Sequence, residues 1–315
     1  MGLKTPQNYG KKAQREQKGI VLSILINSWM NTVELHTQSA TLQSVIERSK
    51  AEGKKIGFVP TMGALHEGHL NLVKRAYSEN DLVVVSIFVN PTQFNNPMDL
   101  ELYPRMLDQD QKVLSSLGFD ILLFAPSTKE VYPEQDVFES VDLRGLEDVL
   151  EGTFRPGHFQ GVVHVVRNLF RIVLPHKAYF GRKDLQQLAV IRFMTKYFWF
   201  DIDIVPCDTL RESNGLAMSS RNLRLSEKER EEALIIIQTL RKVNEWSKTF
   251  TPEEVKEKAV SCFTSGNLRL EYVEIVDDLT FKTLDKQWSE KSSCCIAAYC
   301  GEVRLIDNMP CKTEQ

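Results

Sequence analysis

The stretch Lys55-Ile56-Gly57-Phe58-Val59-Pro60-Thr61-Met62-Gly63-Ala64-Leu65-His66-Glu67-Gly68-His69 decides the fold. Residues 55–59 predict a short apolar strand, and residues 70–76 predict a helix. A chain that leaves a strand at Pro60 and Gly63 and enters a helix near Gly68 aims free backbone N–H groups at one point. Such a helix start favours phosphate, and His66 and His69 lie on the same helix face. We expect the phosphate chain of a nucleotide to bind there.

Strand and helix patterns alternate around this stretch through the first two-thirds of the chain. The predicted strands cover residues 55–60, 82–89, 119–124, 177–180 and 202–206. The predicted helices cover residues 41–52, 69–79, 105–117, 159–173 and 184–198. This order predicts a parallel sheet with right-handed crossovers, in which ligands bind at the carboxyl ends of strands. The fold class is therefore α/β, a Rossmann-like doubly wound parallel sheet over residues 30–206.

The pattern changes beyond residue 206 and predicts a smaller α+β domain over residues 207–315. Ser226 and Glu229 form a capping box that opens a helix to about residue 247. Thr251 caps the next helix, and short strands are predicted at 270–276, 294–300 and 303–306. The second domain is either a lid or a dimer element, and we favour a lid.

Composition narrows the class of protein. The net charge is −3. The chain therefore lacks the surplus of basic residues that would indicate a nucleic acid partner. No apolar stretch approaches the roughly 20 residues that span a bilayer. The six cysteines show no C-x-x-C spacing, which predicts reduced thiols and a cytoplasmic protein with neither a disulfide framework nor a zinc site.

Five characteristic sequence blocks follow one another along the chain. They are PTMGALHEGH (60–69), SIFVNPTQF (86–94), RPGHFQGV (155–162), YFGRKDLQQL (179–188) and RESNGLAMSSRN (211–222). With YVEIVDD (272–278) and RLIDN (304–308), they make the chain resemble the pantothenate synthetase (pantoate–β-alanine ligase) family of the H-x-x-H nucleotidylyltransferase superfamily from about Met30 to its end.

The resemblance implies an AMP-forming acid–amino-acid ligase. It condenses (R)-pantoate with β-alanine to pantothenate through pantoyl adenylate, with ATP as a substrate and Mg²⁺ as a cofactor, and releases AMP and pyrophosphate. The family acts in coenzyme A biosynthesis, and a homodimer is implied. A nucleotidyltransferase of the same superfamily and a non-catalytic nucleotide-binding regulator are the rival interpretations.

The same resemblance implies the site residues. The ATP-binding set is Met62, Gly63, His66, His69, Gly181, Arg182, Lys183, Asp184, Leu210, Met218, Ser219, Ser220 and Arg221. The catalytic set is His66, His69 (the proton donor), Lys183, Ser219, Ser220 and Arg221. Pantoate and β-alanine are expected at Asn90, Gln93 and Gln187.

Residue chemistry supports several of these assignments. A zinc site at His66 and His69 would need a third ligand, and no Cys or His stands nearby in sequence. A neutral amide such as Gln93 can donate to a carboxylate and accept from a hydroxyl, which suits pantoate. Asp184 could hold Mg²⁺, bind ribose or merely cap the following helix.

Four positions are harder to interpret. Arg182 adds positive charge where the family usually carries none, and Gln160 stands where arginine is common. Arg155 is a candidate for phosphate or the pantoate carboxylate, and His158 is equally well explained as structural.

Residues 1–29 precede the segment that resembles the family. Their basic residues, followed by apolar residues 20–26, imitate a signal peptide, but the apolar run is short and no small-residue cleavage site follows closely. We expect a disordered upstream extension, for which a misassigned start is one explanation, and a transit peptide stays open as an alternative.

Overall fold

A computed structural model describes residues 32–94 and 97–311 of the chain. The predicted N-terminal extension, residues 1–29, lies outside the described residues. None of the helices within the described ranges is long and apolar enough to cross a membrane.

Six parallel strands form the main sheet, in the order β1-β4-β3-β2-β5-β6. The strands are β1 (Val33–His36), β2 (Ile56–Thr61), β3 (Leu82–Ile87), β4 (Ile121–Phe124), β5 (Lys177–Gly181) and β6 (Asp203–Cys207). The sequence order reverses between β2 and β5, so this pair flanks the switch point where doubly wound sheets bind ligands.

Helices cover both faces of this sheet. The helices are α1 (Ser39–Ala51), α2 (Glu67–Glu79), α3 (Pro97–Glu101), α4 (Leu107–Ser115), α5 (Thr128–Val131), α6 (Glu151–Phe154), α7 (His158–Val173) and α8 (Leu185–Tyr197). Helices α1, α7 and α8 pack on one face, against residues such as Phe58 and Ala178, and α2 and α4 pack on the other, against Val59 and Tyr179. The alternation of neighbouring residues between two cores follows from the two-residue period of a strand. The predicted doubly wound parallel sheet is confirmed.

The C-terminal part is a three-stranded antiparallel sheet with helices on one side. Its elements are α9 (Glu227–Glu232), α10 (Leu234–Trp246), α11 (Pro252–Phe263), β7 (Arg269–Asp277), β8 (Ser292–Cys300) and β9 (Val303–Pro310). Val273, Ile275 and Cys294 pack toward the helices, whereas Tyr272 and Cys295 join the large core of the first sheet. The α+β character of this part is confirmed, and its boundary near residue 207 stays a prediction.

Besides the short helices α3, α5 and α6, which were not predicted, the structure differs from the predicted elements in two places. Strand β1 was not predicted, because it is a four-residue edge strand whose central residues are exposed and include Glu34. The helix predicted over 226–247 is two helices that meet at Ala233, although Ser226 and Glu229 do form the predicted capping box.

Candidate active site

A cavity of about 260 Å³ opens at the carboxyl ends of β2 and β5 and extends to the C-terminal sheet. The predicted site residues that line it are Met62, His66, His69, Gln93, Gly181, Lys183, Asp184, Gln187, Leu210, Met218, Ser219, Ser220 and Arg221. Gly63, Asn90 and Arg182 are not among its lining residues. Parallel strands thus bring together loops that are more than 150 residues apart in sequence.

The two histidines are oriented by the start of helix α2. His66 is the N-cap residue, and its Nδ1 accepts a hydrogen bond of 3.1 Å from the N–H of Gly68. The N–H of His66 donates to Nδ1 of His69 at 3.4 Å, and the ring centroids lie 4.0 Å apart. Because each Nδ1 accepts a backbone proton, each neutral ring carries its own proton on Nε2. The pair therefore carries two Nε2–H donors.

Both rings are neutral near pH 7. Burial, followed by the charge of Lys183, lowers the pKa of His66 to about 4. Burial, followed by the charges of His66 and Lys183, lowers the pKa of His69 to about 3. In the unliganded protein the two rings are therefore neutral hydrogen-bond donors, and a bond from either ring to an anionic phosphate oxygen is charge-assisted through the acceptor.

The backbone N–H groups before helix α2 are not free, contrary to the prediction. Ala64 and Leu65 donate to the two carboxylate oxygens of Asp110 at 3.0 and 2.7 Å. Gly63 donates to Thr61 Oγ1 at 3.2 Å. The prediction was wrong because Asp110, a buried residue of α4, supplies the anion from within the protein.

Gln93 is fixed through its backbone. Its carbonyl oxygen accepts from Arg155 Nη2 at 3.1 Å and from His158 Nδ1 at 3.0 Å. Arg155 also contacts the Glu151 carboxylate at 3.3 Å. The sequence left the roles of Arg155 and His158 open. In the structure both residues hold Gln93 at the cavity wall, and both also line the cavity.

Asn90 is fully buried, and both ends of its side-chain amide are hydrogen-bonded within the protein. Its Nδ2 donates to the Gly161 carbonyl, and its Oδ1 accepts from Thr92 and from the Tyr132 hydroxyl. A Cβ on Gly161 would lie 2.4 Å from the Thr92 carbonyl, so only glycine allows this approach. Asn90 thus supports the turn that carries Gln93 and is not part of the cavity wall.

The loop after β5 is anchored by the C-terminal sheet. Asn308 Nδ2 donates to the carbonyls of Arg182 and Lys183 at 3.0 and 2.8 Å. Arg182 turns toward Asp208, 3.8 Å away, whereas Lys183 lines the cavity with its Nζ 3.6 Å from the Asp184 carboxylate. Asp184 stands at the N-cap of α8 without a side-chain capping bond, so the capping explanation of this residue was wrong.

Arg221 reaches the cavity but is paired within the protein. Its Nη2 lies 2.8 Å from Asp99, which also contacts Arg224 at 3.0 Å. Ser219 Oγ accepts from the N–H of Arg221, and Ser220 Oγ donates to the Ala64 carbonyl at 3.1 Å. The loop of the C-terminal part therefore touches the loop before α2 directly.

Comparisons with known proteins agree on one family. A model of the family described as pantoate-beta-alanine ligase matches residues 34–310. A pantothenate synthetase of Bacteroides fragilis (strain YCH46) is 52% identical over 274 residues, which cover 86% of this chain and 96% of that protein. A pantothenate synthetase of Porphyromonas gingivalis (strain W83) is 46% identical over 279 residues, 88% of this chain and 99% of that protein.

Solved structures give the same result. The pantothenate synthetase of Thermus thermophilus superimposes with a TM-score of 0.82 at 40% identity, covering 88% of this chain and 99% of that one. The pantoate-beta-alanine ligase of Francisella tularensis, complexed with beta-gamma ATP and beta-alanine, gives a TM-score of 0.73 at 39% identity, covering 88% and 97%.

Proposed function

Because this chain belongs to the pantoate–β-alanine ligase family and is a pantothenate-forming ligase that uses ATP, we propose how its cleft performs that reaction. One observation carries the proposal: two Nε2–H donors, the Lys183 ammonium and the Ser219–Arg221 loop all reach the cavity at the sheet's switch point. Such a set of fixed donors suits a triphosphate.

In the first step, a carboxylate oxygen of pantoate attacks the α-phosphorus of ATP. The bond from this phosphorus to the bridging oxygen breaks, and pyrophosphate leaves with the electron pair. The Nε2–H donors of His66 and His69 and the charge of Lys183 stabilise the oxygens that gain charge in the transition state. Ser219, Ser220 and Arg221 bind the phosphates that depart, once Arg221 exchanges Asp99 for phosphate.

In the second step, the amine of β-alanine attacks the acyl carbon of pantoyl adenylate. The amide bond forms as the bond from the acyl carbon to the phosphate oxygen breaks, AMP leaves with that electron pair, and the proton of the amine passes to the departing phosphate. Gln93 and Gln187 hold pantoate by hydrogen bonds, and Leu210, Met62 and Met218 contact the nucleotide. Enclosure between two domains protects the mixed anhydride from water.

Mg²⁺ fits the chemistry of Asp184. This carboxylate is about half exposed, lines the cavity and caps no helix, and Mg²⁺ commonly binds one or two carboxylates together with substrate phosphates. Within the described ranges no group of three or more His, Cys, Asp or Glu residues could hold a metal ion by itself. Bound Mg²⁺ would neutralise phosphate charge.

Two further features belong to the proposal. We propose a homodimer, on the family resemblance, to be tested by light scattering of the purified protein. We also propose a cytoplasmic location, which the free thiols of all six cysteines support.

Product analysis tests the reaction. The purified protein is incubated with pantoate, β-alanine and MgATP labelled on the α-phosphate, and each component is omitted in turn. The proposal requires free AMP and pantothenate only in the complete mixture. AMP retained on the final product would indicate a nucleotidyltransferase, and the absence of turnover would indicate a regulator.

A further inference from the structure

The turn before helix α2 is an anion-binding loop that the protein fills with its own carboxylate. Gly63 and Ala64 follow each other at φ values of 81° and 49°. Consecutive backbone N–H groups in such turns form a concave nest for an anion. The N–H groups of Ala64 and Leu65 converge on the Asp110 carboxylate at 3.0 and 2.7 Å, and Asp110 is 1% exposed.

We propose that Asp110 is a positioning residue for adenylate formation, an inference that rests on the proposed function of the histidine pair. Asp110 does not line the cavity, so it acts through the backbone. A positive φ is disfavoured for Ala64, which has a Cβ, and the two bonds to the carboxylate stabilise it. The turn then delivers the chain to His66 in the geometry that places both Nε2–H groups in the cleft.

The carboxylate also occupies the backbone donors of this turn. Because the N–H groups of Ala64 and Leu65 already donate to Asp110, they are not free to bind phosphate, and the two imidazoles are the donors that this segment offers to the cavity. The Ala64 residue is held from its other side as well, since the Ser220 hydroxyl donates to its carbonyl at 3.1 Å. Asp110 and Ser220 therefore fix the same residue from two domains.

The variant Asp110→Asn tests this role with almost no change in volume. Its amide can accept one of the two N–H bonds but presents an NH₂ group to the other donor. The matched control is Asp108→Asn, on the exposed side of the same helix. Because a misplacement of about 1 Å can lower a rate about 100-fold, single-turnover adenylate formation should fall by about that factor in Asp110→Asn. ATP affinity should change less than about threefold, since the rate depends on geometry reached in the transition state.

A second readout is independent of activity. Ring-nitrogen NMR of the unliganded protein should show His66 and His69 as the Nε2–H tautomer in the wild type and in Asp108→Asn, and as a tautomer mixture in Asp110→Asn. Wild-type tautomers in Asp110→Asn, or equal losses of rate and ATP affinity, would overturn the positioning role. If the wild type released no AMP, the proposed function would fail while the tautomer measurement still decided the role of Asp110.

Discussion

Replacing Glu151 by glutamine should measure how strongly the main sheet and the C-terminal sheet are joined behind the cavity. The Glu151 carboxylate accepts from Arg304 at 2.7 and 2.8 Å, from the Tyr272 hydroxyl at 2.7 Å, and from Arg155 at 3.3 Å. Glutamine keeps the volume but removes the charge, so the partly buried Arg155 and Arg304 lose their shared counter-ion. Glu271 still contacts Arg304.

The size of the effect follows from the titration of Glu151. Burial alone would raise the pKa of this carboxyl, but the hydrogen bonds and charges of Arg304 and Arg155 outweigh burial and lower the pKa from 4.5 to about 2. At about 1.4 kcal/mol per pKa unit, this corresponds to about 3 kcal/mol of folding free energy. Removal of one partner from a buried ion pair commonly costs a similar amount, about 3–5 kcal/mol.

The pH dependence provides a second, independent sign. A depressed carboxyl pKa stabilises the folded state fully above the unfolded pKa of 4.5, and this contribution is lost as the pH falls through the folded value of about 2. The stability difference between wild type and Glu151→Gln should therefore shrink by about 2 kcal/mol between pH 7 and pH 3.

Urea unfolding at pH 7, 5, 4 and 3 measures this difference, with the exposed Glu290→Gln as the control. The KM for pantoate should also rise, because Arg155 connects Glu151 to the Gln93 backbone. A difference below about 1 kcal/mol at pH 7, or one that stays constant down to pH 3, would show that this network does not stabilise the fold as its geometry implies.

Four further outcomes are expected from the cavity. Since the pKa values of His66 and His69 are about 4 and 3, neither ring should titrate by NMR between pH 5.5 and 8 without ATP, and an inflection near 6.5 would contradict the burial argument. Both rings stay neutral in the fold, so they should reduce stability as the pH falls below 6.5. His69→Ala should lower single-turnover adenylate formation by about 100- to 1,000-fold with little effect on ATP affinity, and unchanged rates would refute that role. Asp99→Asn should tighten ATP binding by about three- to tenfold in calorimetry, because the partly buried pair with Arg221 is worth about 1 kcal/mol; weaker binding would show that Asp99 aids the phosphate site.

The sequence predicted the sheet well because its central strands are continuous apolar runs. Strand β3, within the predicted 82–89, is covered on both faces of the sheet, which leaves almost no polar position to confuse the pattern. Strand β1 lacks such a run because only one neighbour, β4, covers it. The location of the cleft could also be predicted from sequence, because ligands of doubly wound sheets bind where the strand order reverses. In this sheet that point lies between the ends of β2 and β5.

The details of the cleft were less accessible from sequence. The turn at Gly63 and Ala64 binds an anion, as its composition indicates, but the anion is a carboxylate 46 residues away. The local sequence indicates which backbone N–H groups can bind an anion, but it does not indicate which anion binds them. The same holds for Asn90, whose amide could suit a substrate equally well and instead supports a buried turn.

The contacts between the main sheet and the C-terminal part argue against a lid that moves as a whole. Tyr272 and Cys295 share one core with the first domain, Arg304 pairs with the buried Glu151, and Asn308 donates to the loop that carries Lys183. Opening the whole C-terminal sheet as a rigid body would expose apolar surface and leave buried charges unpaired. The pair between Arg221 and Asp99 is more exposed and is needed elsewhere once phosphate binds. Motion on ligand binding is therefore easiest for the loop that carries Arg221, and the sheet behind it acts as a fixed wall of the site.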